Sequence, residues 1–181
     1  MKLRMVSWNV RGLNDLRKHL VVRNLLREWN CDVVCLQETK LASMDRQLIC
    51  SLWSCPYVDW VALDANQTAS GVLMMWDRRV LEKFEVMVGL FFVSVRWQGL
   101  GDGFIWACSR VYGPNDNILR GQMWDELIGI QQLWEVPWCF IGDFNIVRFP
   151  SERLGGSQLT PAMENFSKFI EELSLIDLPL E

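Results

Sequence analysis

Apolar positions in this chain follow two rhythms, and the change from one to the other predicts its elements. Residues 3–9 form a mostly apolar run that reads as a buried strand. Val21, Val22, Leu25, Leu26 and Trp29 then fall on one helical stripe. Residues 32–38, with the run VVCL, read as a second buried strand. Strand–helix–strand crossovers join parallel strands, so the two C-terminal ends, carrying Asn9 and Glu38, should share one edge. A short helix is predicted over 45–53. The middle of the chain is β-rich, with strands at 58–63, 71–76, 80–88, 91–97 and 104–112. Turns at 77–79 and 99–103 space them closely enough for antiparallel hairpins.

The strand–helix–strand rhythm then returns. Tyr112 ends a strand and the loop Gly113-Pro114-Asn115-Asp116 follows. A helix carries Leu119, Met123, Leu127, Ile130 and Trp134 on one stripe, and 138–142 is the next strand, followed directly by Asp143-Phe144-Asn145. This crossover predicts Tyr112, Asn115, Asp143 and Asn145 near one edge. Thr160 should cap a helix that has Pro161 at its first position and a stripe of Met163, Phe166, Phe169, Ile170 and Leu173. Residues 175–178 read as a last strand. With no repeat, linker or low-complexity stretch, residues 1–181 are expected to form one domain. Helices beside hairpin strands predict a mixed α/β (α+β) fold, a two-layer β-sandwich with helices outside.

Composition agrees with a packed domain: half of the 181 residues are hydrophobic and 22% are charged. The ten tryptophans are scattered through strands and helices, so they read as core. The net charge of −4 argues against a protein that merely coats nucleic acid. It leaves room for a cation site, because carboxylates attract Mg²⁺ and the metal then meets a phosphate. Six cysteines contain no CxxC pair, and His19 is the one histidine, so a zinc centre is not expected. Cys35, Cys108 and Cys139 lie in apolar runs and read as reduced core thiols, which points to a reducing compartment. The N-terminus lacks the apolar segment of a signal peptide, and no run reaches the length of a membrane span. A nuclear or cytoplasmic location is expected.

Four polar clusters interrupt the strands at their C-terminal ends: Trp8-Asn9, Gln37-Glu38-Thr39, Tyr112-Gly113-Pro114-Asn115 and Gly142-Asp143-Phe144-Asn145. Sheets usually place function on such loops. Each cluster taken alone has a plainer reading. A Glu after a strand is usually solvated, and Asp-Phe-Asn after Gly is usually a turn. All candidate ligands are oxygen donors, which suits Mg²⁺ or Mn²⁺.

In order and spacing, WNVRGL, LQETK, VYGPN and IGDFN resemble the endonuclease/exonuclease/phosphatase superfamily, and in flavour the endonucleases of plant LINE-type (non-LTR) retrotransposons. WDELI, RFPSERLGG and FIEELSLIDLPL are similar to that lineage too, so the resemblance runs from Lys2 to the last residue. It implies a four-layer α/β sandwich and metal-dependent attack of water on a phosphodiester of DNA. It places Asn9 and Glu38 at the metal, with Glu38 the principal ligand. Tyr112 would contact the phosphate or leaving group, and Asn115 would help orient the site. Asp143 would position or activate the attacking water, and Asn145 would hydrogen-bond the phosphate.

The chain also departs from that pattern. Family members continue with a Phe-Thr-Trp-like strand, an Arg-Xaa-Asp segment and a Ser-Asp-His-like motif, none of which follows here. The expectation is a domain without its C-terminal strands or catalytic histidine, monomeric, with little or no nuclease activity. His19 reads as a surface residue on the first helix and no substitute. Arg110, where relatives carry a small residue, and Ser70-Gly71, where a Gly-Gly pair is common, read as local variation. Arg11, Arg17, Lys18, Lys40, Arg46, Arg148 and Arg153 near the motif loops lean towards nucleic acid, although such charges also suit a solvated surface. A phosphatase on a small phosphorylated substrate and a catalytically dead remnant are the competing readings.

Overall fold

The computed structural model describes residues 2–65, 71–156 and 158–178. The chain forms two compact units: Met1–Tyr112 with Val136–Gly142, and Gly113–Glu135 with Asp143–Glu181.

In the first unit, β1 (Met5–Asn9), α1 (Leu16–Trp29) and β2 (Val33–Gln37) form the expected crossover, and β1 and β2 are parallel. α2 (Arg46–Leu52), β3 (Val58–Leu63) and β4 (Val72–Asp77) follow. The first sheet has the order β1-β2-β4-β3, with β4 antiparallel to both neighbours. The second sheet runs β5 (Leu81–Val88), β6 (Phe92–Gly99), β7 (Ile105–Tyr112) and β8 (Trp138–Asp143) in that order, and β5-β6 and β6-β7 are the predicted hairpins.

The alternation of strand side chains explains how these layers stack. Val33, Cys35, Met74 and Trp76 of the first sheet pack against Val93, Val95, Trp97 and Cys108 of the second. Trp76 and Trp97 meet edge to face at 5.5 Å, and Trp97 lies 5.0 Å from Trp106. The alternate residues Val34, Leu36, Leu73 and Met75 turn to the other face, where Val22 and Leu26 of α1 and Ile49 and Leu52 of α2 cover them. β2 and β4 are therefore buried on both faces, which is why they read as continuous apolar runs.

The second unit contains α3 (Asn117–Trp134), a short 3-10 turn at Pro150–Glu152, and α4 (Pro161–Glu172). Trp124 of α3 stacks on Phe169 at 4.5 Å and on Phe166 at 5.4 Å. The helix starts follow the sequence signals. Asp45 accepts from Leu48 N, Asp116 from Ile118 N and Leu119 N, and Thr160 from Met163 N. All six cysteines are free thiols. Burial pushes the Cys35 thiol up to about 12 and Cys31 up to about 11, so both stay protonated.

Three expectations are corrected. α1 buries His19, Val22 and Leu26, whereas Val21 is exposed at 53% and Trp29 at 40%. His19 is thus an interior residue: Nε2 lies 2.6 Å from Leu13 O and Nδ1 lies 2.9 Å from Ser51 Oγ. A polar residue with two partners can occupy the inward stripe, which rotates the helix away from the purely apolar reading. Residues 175–178 form no strand, because both sheets are built from β1–β8 and give this segment no ladder.

Met74 is fully buried between the sheets and Leu16 is 77% exposed. Met74→Ala is expected to cost about 2–5 kcal/mol in chemical denaturation and Leu16→Ala less than about 0.5. Equal small losses would mean that the inter-sheet layer is not the core.

Candidate active site

The first group of candidate residues sits at the end of the parallel β1–β2 pair. The ladder continues past the last strand residues: Val10 N donates to Gln37 O at 3.0 Å, Gly12 N to Glu38 O at 2.6 Å and Leu13 N to Thr39 O at 2.8 Å. On the other side, Thr39 N donates to Gly71 O at 3.3 Å. Ser70, its predicted partner in the departure from Gly-Gly, lies outside the described residues. The loops so held carry Arg11, Glu38 and Lys40 at positive φ, of 50°, 52° and 56°. Such a conformation costs a residue with a Cβ about 1 kcal/mol or more, so it persists only where surrounding bonds impose it.

These bonds bring Asn9 and Glu38 together. Asn9 Nδ2 donates to Glu38 Oε1 at 2.8 Å, and Tyr112 OH, at the end of β7, donates to the same oxygen at 3.3 Å. Asn9 Oδ1 in turn accepts from Arg11 N at 3.1 Å, which fixes the amide's orientation. Two neutral donors on one carboxylate oxygen hold the Glu38 side chain in a defined pose. Asn9 of β1, Glu38 just past the end of β2 and Tyr112 of β7, all half-buried, therefore make one oxygen-rich cluster.

Beneath it lies Arg110. Its guanidinium is completely buried and donates to Gln37 Oε1, to Val111 O and, at 3.2 Å, to Ile141 O. Gly142 leaves the room: a Cβ there would overlap Arg110 Nη1 and Val111 O. Arg110 is a built-in tie between the ends of β2, β7 and β8, where the sequence suggested local variation.

The second group lies in the other unit. Asp143 Oδ1 accepts from Asn145 N at 2.9 Å, and Asn145, at φ 50°, donates through Nδ2 to Gly113 O at 2.7 Å. Gly113 N donates back to Asp143 O at 2.7 Å. Phe144 anchors this turn in the aromatic cluster, 5.8 Å from Trp124 and 5.3 Å from Phe166. Asn115 is exposed, on the loop that leads into α3. The structure therefore gathers Asn9, Glu38 and Tyr112 in one unit, and Asn115, Asp143 and Asn145 on two laced loops of the other.

One residue beside these loops was not singled out from the sequence. Arg120 is 4% exposed on α3, and burial lowers its pKa, partly opposed by the charge of Asp116. Its signal was legible: position 120 falls four residues before Trp124 and seven before Leu127, on the apolar face, where a charge needs a reason.

Comparison with known proteins fits this geometry. The profile of the Endonuclease/Exonuclease/phosphatase family matches residues 6–163. The chain belongs to that family. No curated protein sequence matches it. The catalytic domain of human nocturnin is similar in structure at 14% identity and a TM-score of 0.64, over 94% of this chain and 70% of that one. An AP endonuclease from Archaeoglobus fulgidus gives 17% and 0.65, over 94% and 71%. A mannosyl-6-phosphatase from Bacteroides thetaiotaomicron gives 12% and 0.65, over 92% and 70%. At these identities the likeness is one of fold, and it bears out the mixed α/β expectation: among the described residues, two four-stranded sheets and four α-helices.

Gly113 tests how tightly the second group is laced, because a Cβ there would overlap the backbone of Phe144. Gly113→Ala is expected to destabilise the chain by about 1–3 kcal/mol, read from its unfolding midpoint. A neutral result would show that the 113 and 143–145 loops are not in contact.

Proposed function

We propose that this chain is an endonuclease domain of retroelement origin, built to hydrolyse phosphodiester bonds in DNA with Mg²⁺ or Mn²⁺, and that these 181 residues turn over slowly or not at all. The observation that carries the reading is the convergence of Asn9 and Tyr112 on Glu38 Oε1. The residues fit a hard cation. The donors that Asn9, Glu38 and Tyr112 can offer are oxygens, and among the described residues no group of three His, Cys, Asp or Glu stands together, so Glu38 would be the one carboxylate of the site. Mg²⁺ suits such a place, since it is commonly held by one or two carboxylates while keeping several waters. Glu38 would hold it, with Asn9 beside it. When bound, it supplies polarisation of the phosphoryl oxygen and neutralises charge developing there.

The remaining steps belong to the chain's own side chains. Tyr112 OH is a donor for a phosphate oxygen or the leaving group. The Asp143 carboxylate, oriented by the Asn145 N–H, is the group to position water and take its proton. Asn145 spends one side-chain N–H on Gly113 O, and its amide is the donor for a phosphate oxygen. Asn115 supports that orientation. What supports slow turnover is local: His19 is held in the interior by Leu13 O and Ser51 Oγ and is not an acid or base for this site. Lacking a positioned acid or base of this kind costs about 10²–10⁴ in rate.

DNA is favoured over a small phosphate by exposed cations on or near the site loops, Arg11, Lys40, Arg46 and Arg153. Arg17 and Arg148 contribute less, being paired with Asp15 and Glu171. Among the described residues, no helix is long and apolar enough to cross a membrane. A DNA substrate places the protein in the nucleus or cytoplasm.

Three measurements test the reading. Mn²⁺ added to the chain should broaden backbone resonances around Asn9 and Glu38, and Glu38→Ala should abolish this with its unfolding midpoint little changed. No broadening in the wild type removes the metal reading. Plasmid nicking in saturating Mg²⁺ should stay close to the Glu38→Ala control. Robust nicking that the control loses would overturn the slow-turnover part and keep the hydrolase. Glu38-dependent release of phosphate from a small phosphomonoester, without nicking, would move the substrate class to small phosphates.

A further inference from the structure

Arg120 occupies a place on α3 where a leucine would serve packing. Its Nη2 lies 2.8 Å from Pro114 O, 3.2 Å from Asn115 O and 3.2 Å from Asn145 O. Its Nη1 donates to Asn117 Oδ1 at 2.8 Å, which orients the guanidinium plane. The helix backbone bond from Arg120 N to Asp116 O, at 3.0 Å, fixes the base of the side chain. Three of its four acceptors are main-chain carbonyls of the two loops that carry Asn115, Asp143 and Asn145. A buried guanidinium is costly, and a planar fork with several donors is the side chain that can meet carbonyls from two directions at once. Lysine offers one point charge, and leucine offers none.

We propose that Arg120 is a positioning residue: from α3 it clamps the 113–117 and 143–145 loops together and so sets the places of Asn115, Asp143 and Asn145. It does not touch the reacting atoms. The consequence for chemistry rests on the phosphodiester reading above, in which those three side chains face the phosphate and the water. The clamp closes a circuit already half made by Gly113 N on Asp143 O and Asn145 Nδ2 on Gly113 O. Those two bonds join the loops to each other, and Arg120 joins both to the helix. The acceptors of this arginine are neutral, so its role is geometric. Those acceptors carry no charge, so removing the guanidinium strands no buried ion, and at the exposed Asn115 and Asn117 water can take its place. That separates positioning from plain stabilisation.

The test uses the whole chain as Arg120→Leu and Arg120→Lys, followed by amide exchange, by the side-chain resonances of Asn145 and by thermal melting. Arg120→Leu is expected to melt within about 4 °C of wild type. Amides at Gly113 and Asn145 should exchange about 10-fold faster or more, while those in the middle of α3 and α4 keep wild-type rates. The Asn145 side-chain resonances should shift as the bond to Gly113 O loosens. Arg120→Lys, which keeps the charge and some donors, should recover part of the protection. Loop exchange unchanged in Arg120→Leu would overturn the proposal. So would a collapse in melting temperature, or exchange raised equally throughout the unit, in both variants, since either makes Arg120 a stabiliser of the fold. None of these readouts depends on turnover or on Mn²⁺. A failed metal or nicking experiment therefore leaves the clamp standing or falling on its own data.

Discussion

The parallel pairing of β1 and β2 does not end with the strands. Its hydrogen bonds run on through Val10, Gly12 and Leu13 to the carbonyls of Gln37, Glu38 and Thr39. Two loops that would otherwise be solvated and mobile become extensions of a sheet. They accept left-handed backbone at Arg11, Glu38 and Lys40 as the cost. The return is position: the Asn9 amide reaches the Glu38 carboxylate at hydrogen-bond distance, with Tyr112 arriving from the other sheet. A rigid scaffold delivering flexible side chains to fixed points is what site chemistry requires.

Two interior arginines repeat the theme within their own units. Arg110 ties the ends of β2, β7 and β8, and Arg120 ties two loops to α3. Both guanidiniums meet carbonyl or amide oxygens, so each trades hydration for several directed bonds. Glycine makes the close approaches possible. A Cβ at Gly142 would overlap Arg110, and one at Gly113 would overlap the Phe144 backbone. Bulk is absent where backbone must approach backbone or a buried cation.

Family membership and site chemistry answer different questions. The family profile and structures at 12–17% identity establish the fold. That fold carries a phosphatase and a nuclease among the similar proteins, so it does not choose a substrate. The choice has to come from side chains. An oxygen-only donor set argues for a hard divalent cation, and exposed arginine and lysine on the loops argue for a polyanion.

Much of this was legible in the chain. The apolar runs of β2 and β4, the helix cap at Thr160, the first crossover and the hairpins follow from local pattern, and local pattern reflects local physics. The pairing of Asn9 with Glu38 was legible as well, because a parallel crossover fixes which strand ends lie together. Other features were not. The inward face of α1 was misread because His19 is polar, and only the carbonyl of Leu13 and the hydroxyl of Ser51 make its burial acceptable. Residues 175–178 have strand composition, but a strand exists only where another strand supplies hydrogen bonds. Arg110 read as local variation, and Arg120 drew no reading although it stands on the apolar face of α3. Whether a buried guanidinium is tolerable depends on carbonyls brought to it from distant parts of the chain, 31 residues away for Arg110 and Ile141 and 25 for Arg120 and Asn145. Sequence determined the elements and the types of group available for chemistry. Tertiary structure decided which polar groups could be buried, because only folding supplies the partners that replace water.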